Sequence, residues 1–197
     1  MAEDTAPEGD LGHPTDRRAG PELVDALLSP SSIAIPVIGA GVPQSAGLPG
    51  SAEMARHLIN HFGVGSQYPS EPASLSKVVD DTLFGKGIDE EISGVLRDYV
   101  LNWPEQTSPL IENLSKVQSR FILTLNYDPT IERAGEKRGE VDSLGNNPAD
   151  LERACRILGE DTPPEKLTVL HLHGQADSDE ELVLTANSYI RAENAMK

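Results

Sequence analysis

Three short stretches of the chain hold side chains or backbone suited to chemistry. The first is Gly39-Ala40-Gly41, which closes an apolar run. Residues this small let the backbone approach a phosphate closely, and a helix beginning there adds the positive end of its dipole. The same three residues also make an ordinary tight turn. The dinucleotide fingerprint GxGxxG is not met, because Gln44 stands where its last glycine belongs, and GK[ST] occurs nowhere in the chain.

The second stretch is Asn126-Tyr127-Asp128. A neutral amide and a carboxylate flanking an aromatic ring can orient a water, a sugar hydroxyl or an amide-bearing leaving group. They can equally be a turn residue and a helix cap. The third is His171-Leu172-His173-Gly174. A histidine titrates near neutral pH, so His173 can serve as a general base. If a strand ran through both histidines their rings would share one face, which is also an HxH metal pattern. The bland readings are a hydrogen-bonded core imidazole at His171 and a turn residue at His173. His57 and His61 are four apart but have neither a glutamate between them nor a third ligand, and read as a solvated helix face. Cys155 reads as a small buried apolar residue.

The whole-chain balance narrows the partners. With 32 acidic against 16 basic residues, a net charge of −16, the balance argues against a dedicated nucleic-acid binder, which needs a basic face to displace counterions from phosphates. A small phosphorylated ligand remains open, since backbone N–H groups can hold a phosphate on an acidic protein. No apolar run approaches the length of a membrane span. The single cysteine rules out disulfides within the chain and a four-cysteine zinc site, and makes the reducing cytoplasm the expected compartment.

Elements that must position these residues follow from periodicity. Residues 1–20 are rich in proline, glycine and acid and read as a disordered leader. Pro21–Leu28 has one apolar stripe and predicts a helix. Ser32–Ile38 predicts a buried strand, although Pro36 cannot donate to a central ladder. Helices follow over Ser51–Phe62, with Ser51 as N-cap, over Leu75–Phe84, over Ile88–Leu101 and over Ser108–Val117. Phe121–Leu125 predicts the second strand, followed by helices over Thr130–Lys137 and Pro148–Leu158. Leu167–Leu172 predicts the third strand, Glu181–Thr185 a short fourth, and Ala186–Met196 a last helix. Strands separated by helices imply an α/β fold with a parallel sheet, and ligands of such sheets bind beyond the carboxyl ends of the strands. All three reactive stretches fall there.

In this order the stretches resemble the SIR2 superfamily, and its bacterial SIR2-like branch more closely than the protein deacetylases. The resemblance is carried by Gly39-Ala40-Gly41 with Gly47-Leu48-Pro49, by Thr124-Leu125-Asn126-Tyr127-Asp128, by Leu172-His173-Gly174, and by Leu182-Val183-Leu184-Thr185 with Tyr189. It implies a Rossmann-like parallel sheet with helices on both faces, a helical insertion after the first strand, and NAD as ligand. By resemblance, Gly39, Ala40, Gly41 and Gly47 contact NAD, Asn126 positions water or ribose, Asp128 lies near the nicotinamide carboxamide, and His173 is the catalytic base. Many members of this branch cleave NAD at the nicotinamide–ribose bond and act as effectors of bacterial defence against phage.

The departures are informative. Deacetylases of the superfamily carry a four-cysteine zinc module that this chain cannot form, so no zinc is expected and NAD hydrolysis is favoured over deacylation. Pro43 stands where the family usually has serine, with Ser45 the nearest replacement hydroxyl. The chain ends before the family's last strands, which predicts a sheet incomplete at the C-terminus of a 21–197 NAD-binding domain. Free NAD cleavage is toxic, which calls for restraint by a homo-oligomer or a separate sensor protein. The rival readings are a non-catalytic module binding NAD or ADP-ribose, and a metal-dependent hydrolase using His171, His173 and either Asp177 or Asp128.

Overall fold

The structure is a computed structural model that describes residues 35–68, 74–83, 89–104, 108–114, 121–136, 141–160, 166–185, 188 and 190. The expected leader, the helix at 21–28, the start of the first strand and most of the helix at 186–196 lie outside the described residues; Ser188 and Ile190 of that last stretch are helical. In chain order the elements are β1 (Val37–Ile38), α1 (Gly41–Ser45), α2 (Ser51–His61), α3 (Leu75–Val78, running on into a π turn over Val79–Leu83), α4 (Asp89–Leu101), α5 (Pro109–Leu114), β2 (Phe121–Thr124), α6 (Thr130–Glu136), β3 (Val141–Leu144), α7 (Pro148–Gly159) and β4 (Leu167–His171).

The four strands form one parallel sheet in the order β1-β2-β4-β3. The chain steps outward from β2 to β3 and then returns to place β4 between them. Right-handed crossovers in opposite directions put their helices on opposite faces of the sheet. Accordingly Ile131 of α6 packs with Ile38, Ile122 and Val169 on one face, joined by Val42 of α1 and Leu114 of α5. On the other face Ala154, Leu151 and Ile157 of α7 pack with Phe121, Leu144 and Leu170. Alternate residues of β2 and β4 thus serve opposite faces, as the period of two requires. This is the α/β, Rossmann-like architecture the sequence predicted.

A third cluster belongs to the helical insertion. Leu58 of α2, Leu75 and Val78 of α3, and Ile92 and Leu96 of α4 are buried together with Leu182 and Leu184. The insertion therefore packs against the segment that follows β4. Pro36 is accommodated because it precedes Val37, the first paired residue of β1: its carbonyl accepts the Leu123 N–H at 2.9 Å, and the register demands no ladder donor before Val37.

Several expectations are corrected. Glu181–Thr185 is not a strand. Leu182, Val183 and Leu184 are apolar because they are buried, at 3–5% exposure, in a segment without regular structure. Among the described residues the remaining strand is Val141–Leu144, at one edge of the sheet, whose VDSL sequence has too few apolar residues to declare itself. Ser51 does not cap α2. Glu53 accepts the Gly50 N–H at 2.6 Å, while the Ser51 hydroxyl accepts the Leu75 N–H at 2.9 Å and joins two helices. Cys155 is exposed, because Ala154 turns inward and a 100° step carries its neighbour to the outer surface. No described helix is long and apolar enough to cross a membrane.

One side chain latches the insertion to the loop that follows β4. Arg97 of α4 donates to the backbone carbonyls of Gln175 at 3.0 Å and Ala176 at 3.1 Å, and also to those of Ser178 and Glu180. A planar guanidinium can serve several carbonyls where an ammonium acts as one point. Replacing Arg97 by Met keeps the apolar stem and removes the donors. We expect Arg97→Met to lose about 2 kcal/mol in urea unfolding, with Arg97→Lys recovering less than half of it. An unchanged midpoint in Arg97→Met would remove the latch.

Candidate functional site

The carboxyl ends of β1, β2 and β4 open into one cavity of about 300 Å³. Gly39, Ala40 and Pro43 line it after β1, Asn126, Tyr127 and Asp128 after β2, and His173 after β4. The insertion covers it through Met54 of α2 and Leu75 of α3, and Leu184 closes one side. Five residues singled out from the sequence (Gly39, Ala40, Asn126, Asp128 and His173) are thus brought together. Gly41 and Gly47 are not in the cavity wall. Gly41 begins α1, and Gly47 sits in the following turn at φ +82°, where its carbonyl accepts the Trp103 indole N–H at 2.7 Å. The Ser45 hydroxyl is exposed, donates to the Val42 carbonyl at 2.6 Å and lies 2.9 Å from that of Ser108. It does not replace in the cavity what Pro43 lacks.

Asn126 is held from three sides. Its backbone N–H donates to the Thr124 hydroxyl at 3.1 Å, and its side-chain amide donates to the Gly39 carbonyl at 3.2 Å. Its carbonyl lies 2.9 Å from His171 Nδ1. Asn126 is thus a rigid corner between strand ends rather than a mobile turn residue. Asp128 keeps both of its sequence readings: it accepts the Thr130 N–H at 3.2 Å, as a cap to α6 would, and it faces the cavity. Burial raises its pKa, and the nearby Glu132 adds to this, while the hydrogen bonds from Thr130 and the His171 charge oppose it.

His173 lies past the end of β4, with its ring 6.5 Å from that of Tyr127. Burial lowers its pKa, partly offset by a hydrogen bond to the Leu125 backbone, so the ring is uncharged at neutral pH. Its loop is tied down by neighbours. Val183 donates to the His173 carbonyl at 2.9 Å, the Tyr127 hydroxyl donates to the Val183 carbonyl at 2.9 Å, and Ala176 donates to the Tyr127 carbonyl at 2.7 Å. Gly174 follows at φ +82°, where a Cβ would meet the Glu181 carbonyl oxygen at 2.7 Å. The glycine after His173 is therefore a steric requirement of this turn.

The two late histidines part company. His171 is the last residue of β4 and fully buried, its ring turned toward α6. Its Nε2 lies 2.6 Å from Glu132 Oε1. Burial disfavours the imidazolium, but the hydrogen bond and charge of Glu132 outweigh this and raise the pKa. Both ring nitrogens are engaged, so ligating a metal would mean breaking one of these bonds. Among the described residues no group of three His, Cys, Asp or Glu side chains is placed to hold a metal ion. Glu132 was missed in the sequence because ERAGE reads as a solvated helix start. Its spacing of four from Asp128 was the available signal. His57 is half-buried and stacks on Tyr99 at 3.9 Å, away from the cavity.

Residues 120–197 match the SIR2-like domain family. This segment contains Asn126, Asp128, Glu132, His171 and His173. No curated protein matches the chain significantly.

The raised Asp128 pKa has a sign that can be checked. A buried carboxyl that resists ionisation binds its proton more tightly when folded than when unfolded. Its ionisation therefore costs stability, and that cost vanishes as pH falls toward the ordinary value of 3.8. Asp128→Asn keeps an Asx cap without the charge. The variant should melt higher than wild type at pH 7, with the gap closing toward pH 4. Melting at or below wild type at pH 7 would show that the carboxylate is well accommodated.

Proposed function

We propose, taking residues 120–197 as a SIR2-like domain, that the chain binds NAD and hydrolyses its nicotinamide–ribose bond. One observation carries this reading: Asn126, Asp128 and His173, delivered by two loops, line one cavity with the glycine turn after β1. At about 300 Å³ that cavity is at the small end for a small-molecule site and suits the nicotinamide riboside half of the dinucleotide.

In the reaction the bond from ribose C1′ to the nicotinamide nitrogen breaks, and its electron pair leaves with nicotinamide. Positive, oxocarbenium-like charge builds on the sugar. A water oxygen adds to C1′, its proton passes to a base, and ADP-ribose is the second product. Asp128 holds the carboxamide. With its pKa raised by burial, it can donate to the carboxamide oxygen when protonated or accept from the carboxamide nitrogen when ionised. Asn126 places the water or a ribose hydroxyl. His173, neutral at working pH, takes the proton. Gly39 and Ala40 let the phosphate end approach the backbone. In this reading the protein is an NAD-depleting effector of antiviral defence in the cytoplasm, held in check by self-assembly or a separate sensor.

One feature favours a second reading. Pro43, buried and in the cavity wall, offers neither hydroxyl nor N–H to a phosphate. A module that binds NAD or ADP-ribose without cleaving it accommodates that more readily.

Nicotinamide release from NAD separates the two. Wild type should release it. His173→Ala should fall at least about 100-fold, the usual worth of a positioned general base, and Asn126→Ala should also fall well below wild type. The acid limb of kcat/KM should lie below pH 6.5, because the lowered pKa keeps His173 deprotonated there. Stable NAD with measurable affinity would establish the binding module instead, and full activity in His173→Ala would remove its role as base.

A further inference from the structure

Beneath the cavity floor lies a set of polar groups that the proposed hydrolysis does not use. His171 joins the Asn126 carbonyl at 2.9 Å to Glu132 Oε1 at 2.6 Å. The Ser143 hydroxyl lies 3.1 Å from the same carboxylate oxygen and 2.8 Å from Gln175 Oε1. His171 is 0% and Glu132 6% exposed, and Glu132 Oε2 is buried without a hydrogen-bond partner among the described residues. A carboxylate with an orphaned oxygen is an expensive way to fill a helix–sheet interface, and an apolar side chain of similar size would suit the fold better.

The hydrogen-bond logic gives the set a direction. A carbonyl only accepts, so His171 Nδ1 must carry the hydrogen given to Asn126. Nε2 then faces Glu132 either as a donor to the carboxylate or as an acceptor from the carboxylic acid. In both cases Glu132 sets the ring plane, and the ring sets the Asn126 peptide. We propose that Glu132 and His171 are positioning residues: through the Asn126 carbonyl they hold the Asn126 side-chain amide at its angle into the cavity. This rests on Asn126 meeting the substrate there, and neither residue touches the substrate itself.

Variants at His171 separate positioning from space-filling. Asn can place an amide N–H where Nδ1–H stood, whereas Gln places its amide nearer the Nε2 position and leaves the Asn126 carbonyl without its donor. His171→Asn should keep kcat for nicotinamide release within about threefold of wild type. His171→Gln should lose about tenfold or more in kcat with KM little changed, as misplacement of a group that acts in the reacting complex does. Glu132→Gln should restore most of what Glu132→Ala loses. The Asn126 side-chain amide resonances, assigned by their loss in Asn126→Ala, should move in His171→Gln and stay near wild type in His171→Asn. Equal kcat and unshifted amide resonances in both His171 variants would overturn the proposal, and that comparison stands even if Glu132→Ala does not fold. If wild type releases no nicotinamide, the hydrolysis reading falls. The positioning pair is then judged by the amide resonances and by calorimetric NAD affinity in the same two His171 variants.

Discussion

Three of the four described strands end on Asn126. Its side chain bonds the Gly39 carbonyl beyond β1, its N–H bonds Thr124 at the end of β2, and its carbonyl faces His171 at the end of β4. A parallel sheet leaves its strand ends splayed, and three loops of different length would wander independently without a common anchor. One residue that spends its backbone and its amide on three partners makes those loops a single rigid rim. The cavity depends on that rim, since its walls are the residues next to those contacts.

A second constraint is electrostatic. Asp128, Glu132 and His171 share a small buried volume around the start of α6. Burial and the neighbouring glutamate push the Asp128 carboxyl toward its neutral form, while Glu132 pulls His171 toward its charged form. His173, just beyond, is pushed the other way by burial and has no carboxylate among the causes of its shift. Two histidines separated by one residue thus hold opposite tendencies. What separates the two rings is the carboxylate that α6 places beside one of them.

The helical insertion belongs to the site as much as to the fold. Its apolar cluster closes over Leu182 and Leu184, and Arg97 grips the carbonyls of the segment leading there. That segment in turn bonds the backbone of His173. The distance in sequence from α4 to the late histidine is bridged by one guanidinium and a few leucines, so the geometry at His173 is coupled to packing far from it along the chain.

Much of this was legible in the residues alone. Glycine, an Asn-Tyr-Asp corner and His-Gly, each just after an apolar run, told that three loops leave one end of a parallel sheet, because period and run length are local properties. The major helices were readable for the same reason. Properties that depend on who faces whom were not. VDSL became a strand because β4 lay beside it, ELVLT became a buried strap because the insertion covered it, and Cys155 faced solvent because Ala154 took the inner position. Glu132 belongs to this second kind: on a linear reading it is one more acid in an acidic chain, and only the fold of α6 against β4 put its carboxylate on the His171 ring. Local chemistry is written in side-chain type and spacing, whereas the partner of a buried charge is settled by which surfaces the packed sheet and helices bring within hydrogen-bond reach.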